Sequence, residues 1–403
     1  MSSGLRYFPN PYAATKLIAN YSNPENEIKK FLWNLISNIQ KNVQPRDIIP
    51  GAGLYLSTTG ISYMFYHLSE NTLMNEKRDD YLNSAEEYIK PALEKINREK
   101  PYFILGSAGV YAVATAVYHA KGDHDQFHKY GQIFNQISEY FKQPDVSNCG
   151  ADELFVGRAG YIMGALWLSK KTQTPLQIHD IYELCNIIIK SGKDYALKHQ
   201  TQSPLMYSYY DVEYLGAAHG LSSILQCILS VPGYLNENPE NIHIVKESVD
   251  YLLSLQTDGN FPASTDEIGY EAKLVHWCHG APGVFYLMAK AYLVFKDAKY
   301  LESCEKMCDL IWRNGLLKKG PGLCHGVSGN GYAFLIMYRL TGNQDYFRRA
   351  IYFYKFMDTD TFKNNSRAPD NPYSLYEGIA GTVCFLGDLL FPENASFPFS
   401  DIF

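Results

Sequence analysis

The chain has 403 residues, of which 46% are hydrophobic and 19% charged, and its formal net charge is −6. This mild acidity comes with no basic block, which argues against a nucleic-acid-binding protein. No apolar run reaches the roughly 20 residues of a membrane-spanning helix, so the sequence predicts no transmembrane segment. Eight unevenly spaced cysteines and a polar, aromatic beginning favour a reduced, cytoplasmic protein and leave peripheral membrane association open.

A pattern of two glycines separated by two residues recurs along the chain, each time just ahead of an apolar segment. The first copy keeps only the second glycine, and the fourth copy keeps only the first. The second position of the pattern falls at Gly60, Gly109, Gly160, Ser223, Gly283, Gly329 and Gly381. These intervals of 46 to 63 residues predict seven repeated units.

Each unit predicts two helices. The segment after the glycines is apolar on nearly every side, as over residues 110–118, which is typical of a helix buried on most faces. The segment before the next glycines alternates apolar and charged positions at helical spacing, as over residues 81–89. Buried inner helices and amphipathic outer helices predict an all-α fold, a seven-fold α/α toroid, because each unit leaves a face that only a neighbour can cover.

The seven copies of the glycine pattern predict that the inner helices begin close together at one end of the ring, since glycine permits close backbone approach. Helix N-termini carry partial positive charge, so this end favours an anionic ligand. We find no linker and predict one domain over residues 1–403, with an N-terminal arm at about 1–22 and a Phe-rich tail at 391–403 packing on the ring. The long connections at 198–218 and 257–276 are candidates for function.

The triplet Cys-His-Gly occurs twice, at 278–280 and 324–326, in adjacent units. Two cysteines and one histidine would give a three-ligand set with an open position, which is typical of catalytic zinc. Zinc ionises a coordinated thiol, so such a site would activate a substrate thiol near neutral pH. Spacing does not choose between His279 and His325, because both occupy the same place in their units. The alternative interpretation is three unrelated buried residues.

These residues place the chain near a known family. It resembles the eukaryotic lanthionine synthetase C-like (LanC-like) proteins essentially end to end. The resemblance is carried by RYFPNPY (6–12), GAAHG (216–220), VHWCHG (275–280), GLLKKG (315–320) and SLYEG (374–378). It implies the seven-fold toroid and zinc on Cys278, Cys324 and His325, and so selects His325.

The same resemblance implies a function. Family members bind glutathione and are implicated in adding it to dehydroalanine and dehydrobutyrine residues of proteins, including kinases. Here the expected anion-binding residues are Arg6, Lys319 and Arg367, and the expected catalytic residues are His219, Lys319 and Glu153. Arginine suits bidentate carboxylate binding, and an imidazole has an unperturbed pKa near neutrality, as a proton donor requires.

One position departs from the family pattern. Four residues before the first zinc cysteine, bacterial cyclases carry an arginine, whereas this chain has Leu274. This difference argues against intramolecular lanthionine cyclisation but not against thiol activation.

Three other functions compete with thiol transfer. A non-catalytic glutathione-binding signalling or scaffold protein would use zinc only structurally. An α/α-barrel glycosidase would need two carboxylates facing each other across the cup, and no convincing pair lies beside the motifs. A protein prenyltransferase shares helical rings and zinc but needs a second subunit, which a complete set of seven units does not call for.

Overall fold

The computed structural model describes residues 5–13, 24–144, 146, 149–237 and 239–403. Within these residues all regular secondary structure is helical, and β pairing is limited to isolated bridges. The all-α prediction is therefore confirmed. No helix among the described residues combines the length and the apolar character that crossing a membrane requires. Residues 1–4 and 14–22 of the predicted arm lie outside the described residues.

Fourteen helices of the described chain build two concentric rings. In chain order they are α1 (Glu25–Asn42), α2 (Thr58–Ser69), α3 (Arg78–Glu94), α4 (Ser107–Lys121), α5 (His124–Gln136), α6 (Arg158–Thr172), α7 (Ile178–His199), α8 (Leu221–Ser230), α9 (Pro239–Ser254), α10 (Ala281–Phe295), α11 (Ala298–Asn314), α12 (Val327–Thr341), α13 (Gln344–Met357) and α14 (Ile379–Leu390). Even-numbered helices form the inner ring and odd-numbered helices the outer ring.

The remaining helical segments are short and lie in the connections. They are Gly53–Leu56, Ser138–Phe141, Tyr234–Glu237 and Asp360–Asn365, with 3₁₀ turns at Thr72–Lys77, Thr265–Glu267 and Pro392–Asn394.

The ring closes through its first and last inner helices. Each inner helix packs against the next inner helix and against the outer helix that follows it in the chain. At the join, α14 packs on α2, and α1 packs on α14. The first outer helix therefore completes the last unit. Since the two ends of the chain share one unit, no inner helix is left with an uncovered face, which confirms the predicted seven-fold toroid.

The side-chain pattern explains which helix goes where. In α12 nearly every side chain is buried, as expected of a helix surrounded by protein. In α11 the buried side chains follow a three-to-four residue spacing that includes Cys304 and Cys308, while charged residues cover the other face. These two cysteines therefore fill the buried side of an outer helix.

The glycine pattern lies where the sequence predicts. Its first residue precedes α4, α6, α8, α10, α12 and α14 as the N-cap, and Ser57 holds this place before α2. The second glycine has a steric reason. A Cβ atom at Gly283 would lie 1.9 Å from the carbonyl oxygen of Trp277, and one at Gly329 would lie 1.8 Å from that of Leu323. The incoming loop thus lies directly against the first turn of each inner helix.

The tail at 391–403 fills the middle of the ring. The ring of Phe397 stacks on Trp277, with centroids 5.0 Å apart, and it also contacts two inner-helix tyrosines. Phe399 packs edge-on against Phe103 and Trp167. The chain's own aromatic side chains therefore fill the apolar centre of the toroid. Burial of such large rings stabilises the packing there.

We expect Gly283→Ala to lower the free energy of unfolding by about 3 kcal/mol, because the added methyl group overlaps a backbone carbonyl that cannot move away. Gly131→Ala is the matched control. Gly131 lies inside α5, where a Cβ would meet only a methyl group of Thr115 at 3.4 Å, so the substitution should be neutral or stabilising. Chemical denaturation measures both, and a wild-type midpoint for Gly283→Ala would contradict the steric argument.

Candidate functional site

The structure groups the two predicted cysteines with one histidine. One ligand atom each from Cys278, Cys324 and His325 lies within 4.8 Å of the others. Both cysteines are buried and the histidine is partly exposed. They sit in the loops that lead into α10 and α12, so two adjacent units supply the group.

Backbone hydrogen bonds join these two loops to each other and to the corresponding loop of the next unit. The N–H of Cys278 donates to the carbonyl oxygen of Cys324 at 3.1 Å. The N–H of Cys324 donates in turn to the carbonyl oxygen of Tyr376, in the next unit, at 2.8 Å. The positions of the two thiols therefore depend on three neighbouring units and not on one loop.

The side-chain amides of two buried asparagines hydrogen-bond to the backbone of these loops. The side-chain amide of Asn330, on α12, donates to the carbonyl oxygens of Val275 at 3.0 Å and Gly315 at 2.9 Å. The amide of Asn260 donates to the carbonyl of Leu274 at 3.1 Å and accepts the N–H of Ala281 at 2.9 Å. Buried backbone groups that would otherwise lack partners are satisfied in this way, and the loops are fixed.

This donor set fits a zinc ion. Tetrahedral zinc with thiolate and imidazole ligands keeps neighbouring ligand atoms about 3.5–4 Å apart. The present separation, within 4.8 Å, needs only a small contraction to reach that geometry. A hydrogen-bonding contact with Cys278 and burial raise the pKa of the Cys324 thiol. A divalent cation would reverse this preference, because a coordinated thiol is held as thiolate.

The sequence spacing did not decide whether His279 or His325 accompanies the two cysteines, and the two histidines have different surroundings in the structure. His325 lies with the cysteines, whereas His279 does not belong to that group among the described residues. The ring of His279 lies 5.3 Å from that of Tyr214 and 6.5 Å from that of His219, counted between centroids. Its Nδ1 is buried and has no hydrogen-bond partner in the described part of the chain.

The cysteine–histidine group lies in a cavity of about 460 Å³ at the end of the ring where the inner helices begin. We call it the N-terminal cavity. It is lined by Arg6, Tyr55, Phe155, Ala218, His219, Leu274, His276, Cys278, His279, Lys319, Cys324 and His325. The position at which this chain departs from bacterial cyclases, Leu274, is therefore part of the wall.

His219 and Glu153, both predicted to be catalytic, form a pair in this wall. The Nδ1 of His219 is 2.8 Å from Oε2 of Glu153. The carboxylate is 2% exposed, and its other oxygen accepts the backbone N–H of Val156. Tyr209 lies flat on the imidazole at 4.1 Å, and Phe155 meets it edge-on at 4.7 Å. The ring is thus fixed, with Nε2 directed away from the carboxylate.

The three predicted anion-binding residues lie on adjoining segments. The N–H of Lys318 donates to the carbonyl of Arg6 at 3.0 Å, and the N–H of Arg367 donates to the carbonyl of Lys318 at 2.7 Å. Arg6 and Lys319 line the N-terminal cavity. Arg367 is not among its lining residues, and its guanidinium pairs with Asp370 at 2.9 Å.

Two further histidines in the wall are uncharged at neutral pH. Burial, together with the positive charge of Lys319, lowers the pKa of His276 to about 3. Burial and the neighbouring His219 lower the pKa of His279 to about 4. Arg6 and Lys319 therefore bring positive charge to the cavity, whereas these two histidines do not.

Sequence reasoning missed Tyr55 and Phe155. Burial and the neighbouring Cys324 raise the pKa of Tyr55, whose ring stacks on that of Tyr376 at 5.0 Å. A signal was present. Each of the two aromatic residues lies five residues before the second position of its glycine pattern. Cys278 and Cys324 hold the same place in their own units.

Comparisons with known proteins agree with this architecture. Residues 48–402 match the family described as lanthionine synthetase C-like protein. The chain is 35% identical over 374 residues to a protein from Danio rerio named glutathione S-transferase LANCL1, covering 91% of this chain and 88% of that protein. The structure of nisin cyclase superposes with a TM-score of 0.67 at 16% identity, covering 95% and 98% of the two chains, and supports the fold.

We expect the wild-type protein to retain stoichiometric zinc after dialysis. We expect Cys324→Ala to lose the zinc, because only two of the three protein ligands remain. Cys304→Ala is the matched control, because Cys304 is equally buried but lies on outer helix α11, away from the group. Inductively coupled plasma mass spectrometry of the purified proteins measures the metal. Wild-type zinc content in folded Cys324→Ala would show that Cys324 is not a ligand.

Proposed function

This chain belongs to the lanthionine synthetase C-like family, and from that premise we propose that it is a zinc-dependent transferase. In this proposal it adds the thiol of glutathione to dehydroalanine or dehydrobutyrine residues of proteins, kinases among them. The observation that carries the proposal is one cavity lined by the cysteine–histidine group, two cations and His219, whose imidazole is held by Glu153.

The N-terminal cavity matches the chemistry of glutathione. That tripeptide has a thiol between two arms that end in carboxylates, one of which also carries an ammonium group. Arg6 and Lys319 lie at the rim, where they would pair with carboxylates, while the cysteine–histidine group lies where the thiol would reach. The beginnings of the inner helices add partial positive charge at the same end.

The bond changes of the reaction follow simply. When zinc is bound by Cys278, Cys324 and His325, it would favour the thiolate form of the incoming thiol. The sulfur lone pair forms a bond to the Cβ atom of the dehydroamino acid, and the alkene electrons move through Cα onto the carbonyl oxygen as an enolate. A proton delivered to Cα restores the carbonyl, and the proton lost from the thiol leaves to solvent.

In this mechanism His219 delivers that proton. Its Nδ1 is held by the buried carboxylate of Glu153, so Nε2 is the nitrogen that faces a reacting atom. A carboxylate that orients an imidazole and stabilises its protonated form is a common arrangement for general acid–base catalysis. Lys319, in the same cavity, would stabilise the negative charge of the enolate.

Leu274 supports transfer between molecules over cyclisation within one peptide. In bacterial cyclases an arginine stands at this position, and here an apolar side chain lines the cavity. Loss of that cation leaves Arg6 and Lys319 as the positive charges of the lining. These lie where a separate anionic thiol would bind.

We expect zinc-loaded protein to form an adduct from glutathione and a dehydroalanine peptide, followed by mass spectrometry. His219→Asn should slow adduct formation by about 100-fold or more, as expected for loss of a general acid. Glu153→Gln should slow it by about 10- to 100-fold, as for other groups that orient a reactive side chain. His243→Asn, a change on the exposed face of α9, is the control.

If the zinc-loaded wild type binds glutathione but forms no adduct, the transferase proposal is wrong. The non-catalytic glutathione-binding alternative then takes its place.

We expect Lys319→Met to raise the KM for glutathione about tenfold, with zinc content unchanged, because a carboxylate loses a charged partner. Lys318→Met is a closely matched control. The ammonium of Lys318 lies 5.7 Å from the centre of the Phe8 ring, and Lys318 does not line the N-terminal cavity. Equal KM values for the two variants would remove Lys319 from the binding site.

A further inference from the structure

A second cavity lies at the opposite end of the ring, where the inner helices finish. We call it the C-terminal cavity; it has a volume of about 440 Å³. Its lining includes the aromatic rings of Trp167, Phe399 and Phe403 and the cations of Lys170, Lys290 and Arg339. Helix α12 begins beside Cys324 and ends beyond Arg339, so its 15 residues place the two cavities about 22 Å apart.

Cations outnumber carboxylates in this cavity. Four positively charged side chains line it, on α6, α10 and α12, against the single carboxylate of Asp401. That carboxylate pairs directly with Lys170, and it lies 3.5 Å from Nη1 of Arg339. Lys171 is paired outside the lining with Glu70.

Lys290 is the cation with the poorest compensation. It lies on the buried inner helix α10, and its ammonium donates to the backbone carbonyl of Ile402 at 2.9 Å. Among the described residues no carboxylate comes within 4 Å of that ammonium. Burial lowers its pKa, as expected of a charge with incomplete compensation. Lys290 is partly buried, and the carboxylate of Asp401 acts on its ammonium only from beyond 4 Å, so this cation leaves a place for a closer negative group.

The remaining walls are apolar and aromatic. Trp167 and Phe399 pack edge-on with centroids 4.9 Å apart. The ring of Phe403 lies 3.9 Å from the guanidinium carbon of Arg339, which holds that cation against the tail. A concave pocket of a few hundred Å³ with mostly apolar walls and a few converging polar groups is the usual form of a small-molecule site.

We propose that the C-terminal cavity binds a small organic anion with an apolar body, such as an aromatic carboxylate or sulfonate, whose negative group pairs with Lys290. The apolar body of this ligand lies against Trp167 and Phe399, and its negative group pairs directly with the ammonium of Lys290, which no carboxylate of the described residues approaches within 4 Å. The site does not depend on the proposed transferase function, since it shares no residue with the N-terminal cavity.

The test uses the full chain and 1-anilinonaphthalene-8-sulfonate as the probe, with binding measured by calorimetry. We expect saturable binding that weakens at least tenfold in Lys290→Met. The uncharged dye N-phenyl-1-naphthylamine, which lacks the sulfonate, should bind wild type and Lys290→Met equally. Lys319→Met, which removes a cation from the other cavity, should keep the wild-type affinity for the sulfonate.

Wild-type affinity of folded Lys290→Met for the sulfonate, or loss of binding in Lys319→Met instead, would overturn the proposal. A second measurement covers the case in which Lys290→Met does not fold. Crystals of the wild type soaked in 4-iodobenzoate should show the anomalous signal of iodine between Trp167 and Phe399. An iodine signal confined to any other place would equally overturn the proposal.

Discussion

The contact between an incoming loop and the first turn of an inner helix determines where Cys278, Cys324 and His325 lie. At the second glycine of the pattern, the carbonyl oxygen of the residue six positions earlier occupies the space of a Cβ atom, 1.8 Å away at Gly329 and 2.0 Å away at Gly160. Because this contact repeats around the ring, each loop reaches the centre in the same register. The residue five places before the second position lines the N-terminal cavity in five of the units, at Tyr55, Phe155, Ala218, Cys278 and Cys324. The residue four places before it does so in three, at His219, His279 and His325.

This register makes the candidate site a property of the closed ring. Cys278 and Cys324 hold the first of these two places in adjacent units, and His325 holds the second. Neither loop alone supplies three ligands, and the hydrogen bond between the two cysteine backbones forms only when their units are side by side. A metal ion that bridges neighbouring units would also stabilise their packing, since the free energy of metal binding adds to that of folding when the unfolded chain has no site. The candidate site is thus assembled when these two units pack side by side.

Much of this could be predicted from the sequence because repetition amplifies weak local signals. The seven copies of the glycine pattern, with the apolar segments that follow them, predicted the helical ring, and the two Cys-His-Gly triplets predicted which units would meet. The pairing of α1 with α14 could not be predicted, because it joins the two ends of the chain and no local pattern encodes such a contact. Tyr55 and Phe155 were missed because aromatic residues occur throughout the core, and only their register distinguishes them. Arg367 forms an ion pair with Asp370 and does not line the cavity, and the sequence alone did not show which partner this arginine would take.

The common direction of the inner helices also explains how charge is distributed between the two ends of the ring. Their N-termini give the N-terminal cavity a partial positive charge, to which Arg6 and Lys319 add. The opposite end should be partly negative, because the helix C-termini meet there. Lys170 and Arg339 stand in the last turns of their helices and offset that charge, a role that cations at helix ends often have. Lys290 stands before the last turn of α10 and is partly buried, so neutralising a helix end does not account for it. A cation at this position, beside aromatic walls and other cations, favours a bound anion over a purely structural role.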